Sequence, residues 1–343
     1  MHNLALIAAT ALLSALPLMA SAQSAYRVPR TASGTPDLQG IWTNASLTSV
    51  ERSPGFKSLV IPEADAKTFE ARRAAARAAQ DRPSDPNALA VVAADPGGYN
   101  AAWTDPGVTL GRVRGEVRSS WIVDPADGRA PYSAKGRKTF EAALAKARTT
   151  FDGPETRPLG ERCILGFGST AGPPMLNVLY NNNYQIVQTP ETVVIVVEMN
   201  HDARIIRMGG RHPPRHIRTW MGDSIGRWDG DTLVVETTNF NPGEALRPYF
   251  GATLYISEDA TVTERFTRIS TTEILYEFEV DDPEVFSKVW RAEMPLKASP
   301  GPVYEYACHE GNYSLPGILA GARRAEREGG EAEAVDLSET DGG

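Results

Sequence analysis

From Tyr184 onward the chain alternates apolar and polar residues with a period of two, in short runs separated by turn residues. Successive side chains of a strand point to opposite faces, so this pattern specifies strands with one buried face. The runs cover residues 184–187, 193–206, 232–240, 261–269, 273–280, 289–295 and 303–307. Thr189-Pro190-Glu191-Thr192 separates the first two, and Asp229-Gly230 precedes the third. Asp-Gly between β-formers is a strong hairpin signal. With no helical stretch between them, the runs predict an antiparallel meander. A long meander leaves open edges, which closure into a barrel or stacking into a sandwich removes. The expected fold is mainly β: a calycin-like C-terminal antiparallel meander, with N-terminal loops and two helices packed on it.

Upstream of the meander the composition changes. Residues 37–43 read as the entry to a first strand. Pro62 stands where a missing N–H costs nothing, at the head of an Ala/Arg/Glu-rich stretch over residues 63–80 that favours helix. Residues 81–112 are rich in Pro, Gly, Asp and Asn and read as a loop. A short apolar run, Trp121-Ile122-Val123, ends at Asp124-Pro125, and Pro131-Tyr132-Ser133 leads into a second helix over 134–148. A closing helix is expected over 315–328. The chain divides into a signal peptide at 1–22, a wrapping region with two helices at 23–160, the β domain at 161–328 and a disordered acidic tail at 329–343.

The N-terminal assignment rests on an apolar run over 4–20 followed by Ala20-Ser21-Ala22, the small residues a signal peptidase reads. The usual Lys or Arg near the start is missing, and only His2 is there. The run is too short and Ala-rich for a membrane span, and no Cys follows it, so no membrane anchor is expected. The protein is expected to be periplasmic or secreted. Its two cysteines, Cys163 and Cys308, then read as a disulfide, because an even pair in an exported chain is normally oxidised. A formal net charge of -8 argues against nucleic acid, which asks for a basic footprint, and against an anionic membrane surface.

The residues that suggest chemistry cluster. Of the five histidines, three lie between 201 and 216. If 193–206 is one strand, Val193, Ile195, Val197, Met199, His201 and Ile205 share a face, with His201 the polar member. Glu198, Asn200, Asp202 and Arg204 lie on the other face, which turns polar in its second half. The functional reading makes this strand end a pocket mouth, with His201 and Asp202 as acid/base groups and Arg204 holding an anion or phenolate. The structural reading makes His201 a core histidine beside a solvated edge. Residues 211–220 then bring His212, His216, Arg211, Arg215, Arg218 and Trp220 together around Pro213-Pro214, which break regular structure. His216 could join the acid/base group, Arg218 could bind substrate and Trp220 could stack on an aromatic ring. The alternative is a surface loop whose arginines pair with acids. After the last run, Cys308 could anchor His309 and Tyr313 at a pocket rim, and Tyr184 could reach the same pocket. The histidine spacing matches no metal signature, so neither a metal nor another cofactor is expected.

Thr35-Pro36-Asp37-Leu38-Gln39-Gly40-Ile41-Trp42, Tyr180-Asn181-Asn182-Asn183-Tyr184-Gln185-Ile186, His201-Asp202-Ala203-Arg204, Gly226-Arg227-Trp228-Asp229-Gly230-Asp231 and Tyr306-Ala307-Cys308-His309-Glu310-Gly311-Asn312-Tyr313 together carry a resemblance. The chain resembles a family of exported, mostly uncharacterised bacterial proteins common in sphingomonads and acidobacteria, and is similar to phenylcoumaran γ-formaldehyde lyases. That resemblance implies retro-aldol-like cleavage of a lignin-derived dimer, releasing formaldehyde and leaving a stilbene. Such chemistry needs a general base, a cation for the phenolate and an aromatic pocket; His201, Arg204, His216 and Trp220 would fill those roles.

Three functions follow for test: a cofactor-independent carbon–carbon lyase for a small aromatic molecule, a non-catalytic periplasmic small-molecule-binding barrel, and a metal-dependent hydrolase. The first requires the His/Arg cluster to converge with aromatic rings, the second an apolar lumen, the third ligands around one point. A homo-oligomer is compatible with all three.

Overall fold

The computed structural model describes residues 26–80, 104–166, 170 and 172–329. The expected signal peptide, most of the 81–112 loop and the acidic tail beyond Gly329 lie outside these residues.

The strands are β1 (Gly40–Thr43), β2 (Val60–Ile61), β3 (Arg112–Val113), β4 (Glu116–Arg118), β5 (Ile122–Asp124), β6 (Asn183–Gln188), β7 (Thr192–Val197), β8 (Ala203–Met208), β9 (Asp223–Asp229), β10 (Thr232–Thr238), β11 (Leu246–Tyr249), β12 (Ala252–Tyr255), β13 (Thr261–Arg268), β14 (Glu273–Asp281) and β15 (Trp290–Ala298). The helices are α1 (Glu63–Gln80), α2 (Ala134–Thr149), the single turn α3 (Cys308–Gly311) and α4 (Ser314–Arg327).

The main sheet runs β1-β6-β7-β8-β9-β10-β13-β14-β15, with β5 added beside β15. It closes on itself, because Trp42 and Thr43 of β1 also pair with Ala298 and Lys297 of β15. The result is a nine-stranded β-barrel, which removes the open edges a meander would leave. The strand that closes it comes from the N-terminal wrapping region.

Two expectations about this sheet are corrected. The barrel is mixed, because β8 and β9 run parallel. Parallel neighbours need a return across the sheet, and the Pro-broken segment at 209–222 makes it. The run 193–206 is two strands: β7 and β8 are antiparallel partners, with Val194 opposite Ile205. Between them Met199–His201 forms a 3-10 turn in which Asn200 and His201 take φ of 62° and 54°. This reversal inverts the alternation. Val193, Ile195 and Val197 point inward from β7, but Arg204 and Ile206 point inward from β8, and Ile205 is left 61% exposed. A third correction concerns 303–307, which forms no strand. Its backbone N–H groups are spent on side chains instead, Tyr304 on Glu198 and Tyr306 on His201.

Inside the barrel, Trp42, Ile186, Ile195, Ile206, Leu233, Phe266, Ile274, Met294 and Leu296 are buried to 2% exposure or less. The end at which β7 passes to β8 is stoppered by the chain before β6, where Met175, Leu176 and Asn177 are fully buried. Asn177 ties the stopper to the wrapping region, accepting from Trp121 Nε1 at 2.9 Å and donating to the Ser46 carbonyl at 2.9 Å. The β11–β12 hairpin covers the same end, with the Arg247 Nη1 donating to the Pro173 carbonyl at 2.8 Å.

Helices α1 and α2 lie where the composition placed them. Ser133 caps α2 by accepting the Gly136 N–H at 2.9 Å. Gly136 lets the helix seat on the barrel, since a Cβ there would stand 1.9 Å from the Val285 carbonyl oxygen. Gly136→Ala would normally favour a helix by up to about 1 kcal/mol. Here it should instead destabilise by about 1–3 kcal/mol through overpacking, read as a lower midpoint in urea unfolding; an unchanged or raised midpoint would contradict the close approach. Cys163 and Cys308 form the expected disulfide across a sequence separation of 145. Chain-entropy models give such a closure roughly 4–5 kcal/mol. Among the described residues no helix is long and apolar enough to cross a membrane.

Candidate functional site: a buried acid–base cluster at the stoppered end

The phase inversion at the β7–β8 turn sends Arg204 into the barrel at 2% exposure. A buried guanidinium needs a counter-charge and acceptors for its N–H groups. Glu264, at an inward position of β13 between Val262 and Phe266, supplies the charge. Arg204 Nη1 donates to Glu264 Oε1 at 2.8 Å and its Nη2 to Oε2. The Ser224 and Thr237 hydroxyls accept from Nε and Nη2 at 3.2 and 3.1 Å. Tyr276 donates to Glu264 at 2.7 Å and accepts the Met175 N–H at 2.9 Å, joining this network to the stopper. Burial, with the Glu264 charge next, pushes the Tyr276 hydroxyl well above its ordinary value.

A second buried pair lies above it. Glu244 sits in the Pro242–Glu244 turn and Arg247 in β11; they are 5% and 1% exposed. Arg247 Nη1 donates to Glu244 Oε1 at 3.2 Å, and its guanidinium stacks 4.9 Å from the centre of the Phe240 ring. Glu244 Oε2 is buried and has no hydrogen-bond partner among the described residues. Burial raises the Glu244 carboxyl to about 8; Arg247 opposes the rise and the charge of Asp202 adds to it. Burial lowers the Arg247 guanidinium from its ordinary range. Asp202 is 9% exposed, and its Oδ2 accepts the Gly166 N–H at 2.9 Å. Burial lifts it to about 6 against that hydrogen bond. Glu244 thus feels the charges of Arg247, Asp202 and Arg204, and burial raises both carboxyls, Glu244 further than Asp202. This arrangement can hold one proton and accept another near neutral pH.

The structure distributes the sequence candidates unevenly. Asp202 and Arg204 belong to the cluster. Tyr184 is also inside the barrel, fully buried, with Asn44 Nδ2 donating to its hydroxyl at 3.0 Å. His201 is on the surface, because its left-handed backbone turns it off the β7 face; its Nε2 accepts the Tyr306 N–H at 3.2 Å. His216 is exposed in the return loop, as are His309 and Tyr313 near the C-terminal helices, Tyr313 at 84%. Arg218 is pinned by the Phe240 carbonyl at 3.3 Å, the Glu258 carbonyl and Asp259 Oδ1 at 2.7 Å. Trp220 is half-buried against Gly243.

The histidines do not converge. His212 lies between Asp223 Oδ2 at 2.6 Å and Glu236 Oε1 at 3.2 Å on the outer wall. Among the described residues no group of three or more His, Cys, Asp or Glu is arranged to hold a metal ion.

An open groove of about 240 Å³ runs along the outside of the turn that carries Glu244. Pro242, Ala245, Tyr255 and Val285 give it an apolar wall, and Lys135, paired with Glu284, a polar one.

Four members of the cluster escaped the sequence reading: Glu244, Arg247, Glu264 and Tyr276. Glu264 left a usable signal, a charge in the apolar phase of its strand. Comparison with family models, with curated proteins and with solved structures finds no match to this chain.

Proposed function

We propose that the protein is an exported, cofactor-independent carbon–carbon lyase for an aromatic small molecule, with the Asp202/Glu244/Arg247 cluster as its acid–base machinery. What supports this reading is the burial of the carboxyls of Asp202 and Glu244 and of the Glu244–Arg247 pair at the stoppered end, which raises both carboxyls, a recurring feature of catalytic clusters. The substrate class, a phenylcoumaran-like dimer, rests on the resemblance in the five segments quoted above. The N-terminal segment and the disulfide support export, into the periplasm or beyond.

In this reading Asp202, as carboxylate, takes the proton of the substrate's hydroxymethyl group. The bond from that carbon to the ring carbon breaks and formaldehyde leaves. The freed electron pair forms the stilbene double bond and expels the aryl ether oxygen, which takes the proton held by Glu244. Substrate therefore goes to stilbene plus formaldehyde with no other reactant. Arg247 offsets the negative charge as it passes to the phenol oxygen. The groove against Tyr255 and Pro242, on the outer side of the turn that carries Glu244, would hold the arene. Met175, Leu176 and Asn177 fill this end of the barrel, which counts against a ligand held in an open lumen.

The test is a product assay on the purified mature protein with phenylcoumaran and related dimers, following formaldehyde and stilbene absorbance with and without EDTA. Turnover should survive EDTA. Asp202→Asn and Glu244→Gln should each lower kcat by roughly 10²–10⁴-fold, whereas His201→Ala and His216→Ala should stay within a few-fold. Absence of turnover on every dimer, or full activity in both carboxamide variants, would sink the reading.

A further inference from the structure

The turn that carries Asp202 is gripped from two sides by segments distant in sequence. On one side, the Gly166 N–H donates to Asp202 Oδ2 at 2.9 Å, and the Cys163 carbonyl accepts from Asn200 Nδ2 at 3.3 Å. On the other, the strap at 299–307 leaves β15 and crosses the turn. There the Tyr304 N–H donates to Glu198 Oε2 at 3.1 Å, and the Tyr306 N–H to His201 Nε2 at 3.2 Å. The two sides are joined to each other by the Cys163–Cys308 disulfide and by Asn312 Nδ2, which donates to the Glu161 carbonyl at 2.7 Å.

Three non-glycine residues within this grip have left-handed backbones: Cys163 at φ 54°, Asn200 at 62° and His201 at 54°. Such backbones persist where the surroundings over-determine them, and they gather at functional sites. Cys163 is 5% exposed and Cys308 is partly exposed, so Cys308 is the cysteine nearer to a thiol in solution.

We propose that Cys163–Cys308 is a redox-set clamp that positions Asp202, released by a small dithiol or a dithiol protein while the barrel stays folded. The inference rests on reading Asp202 as an acid–base group. A dithiol's thiolate attacks the Cys308 sulfur, and Cys163 leaves as a thiolate and is protonated. The second thiol then closes the reductant's own disulfide and frees Cys308. Two electrons and two protons pass to the protein. The covalent tie between the strap and the 161–166 segment is then lost, the Asn312 hydrogen bond is left to join them, and water reaches Asp202.

The experiment uses the full mature chain in three forms: oxidised, reduced by dithiothreitol, and Cys163→Ser/Cys308→Ser. Amide hydrogen exchange and ¹³C titration of the aspartate carboxyls are read by NMR, with far-UV circular dichroism as the control for the barrel. Reduction should speed exchange at Gly166 and Tyr306 by at least about tenfold and leave the β13 and β14 amides unchanged. The titration midpoint of Asp202 should fall from about 6 towards the ordinary carboxylate range, because burial is the main cause of its rise. The double serine variant should behave like the reduced form, and reoxidation should restore the wild type. Unchanged exchange and midpoint would overturn the clamp, as would loss of the barrel's dichroism on reduction, which would make the disulfide a staple of the whole fold. Neither readout depends on turnover. Exchange and titration that shift in a protein acting on no dimer would support the clamp and count against the lyase.

Discussion

Glu264→Ala should destabilise the protein by about 3–5 kcal/mol, the range for removing one partner of a buried ion pair. The variant leaves the Arg204 guanidinium inside the barrel, with only the Ser224 and Thr237 hydroxyls as acceptors. It also removes the acceptor of the Tyr276 hydroxyl. The charge cannot escape to solvent, because β8 is held between β7 and β9 and cannot slip without exposing Ile206. Replacing both charges, as Arg204→Met with Glu264→Leu, should recover most of the loss, since well-packed apolar residues often substitute for a buried pair at little cost. Denaturant unfolding of the two singles and the double gives the coupling energy. A single-variant loss below about 1 kcal/mol would mean that the pair is solvated, contrary to the geometry.

The second large effect is on pH. Glu244 has a folded value of about 8, against an unfolded glutamate near 4.3. Between these values the native state holds a proton that the unfolded chain has lost. Stability then falls as pH rises, with a slope of at most about 1.4 kcal/mol per pH unit from one group. Asp202 acts with the same sign between roughly 3.9 and its folded value of about 6. The contribution is fully present below about pH 4 and is gone once the pH has passed the Glu244 value. Glu244→Gln removes the larger share, so its unfolding midpoint should change less between pH 5 and pH 8 than that of the wild type. Parallel profiles for the two proteins would show that Glu244 is ionised throughout.

The sequence carried the parts of this structure that are local. Asp229-Gly230 pointed to the β9–β10 hairpin, and the register there sets Asp229 opposite Thr232 with Gly230 at φ 59°. The even cysteine pair, in a chain expected to be exported, pointed to the disulfide, and Pro131-Tyr132-Ser133 pointed to the start of α2. The β7–β8 reversal was not legible, because Met199-Asn200-His201 continues the alternation without a Gly or Pro. The turn depends on left-handed backbones at Asn200 and His201 that periodicity does not register. That one turn decided the fate of two candidates, moving His201 outward and Arg204 inward. The parallel β8–β9 pairing and the closure of β15 on β1 are long-range choices with no local signature. Glu244 lies in the turn before β11 and Arg247 in β11, a stretch with no regular apolar alternation, and only the folded chain brings their charges near Arg204. The histidine concentration, the most visible feature of the sequence, is dispersed by the fold: one histidine binds the strap, one lies between two carboxylates on the wall, and one is in solvent.

Burial at the stoppered end of the barrel raises two carboxyls to different proton affinities, Glu244 above Asp202. The most direct measurement is a ¹³C NMR titration of the Glu and Asp side-chain carboxyls in the oxidised protein, with Glu244→Gln and Asp202→Asn used to assign the two resonances. The structure predicts midpoints of about 8 for Glu244 and about 6 for Asp202. Midpoints near 4 for both would mean that the cluster is hydrated and ionised throughout, and would remove the basis for reading it as an acid–base site.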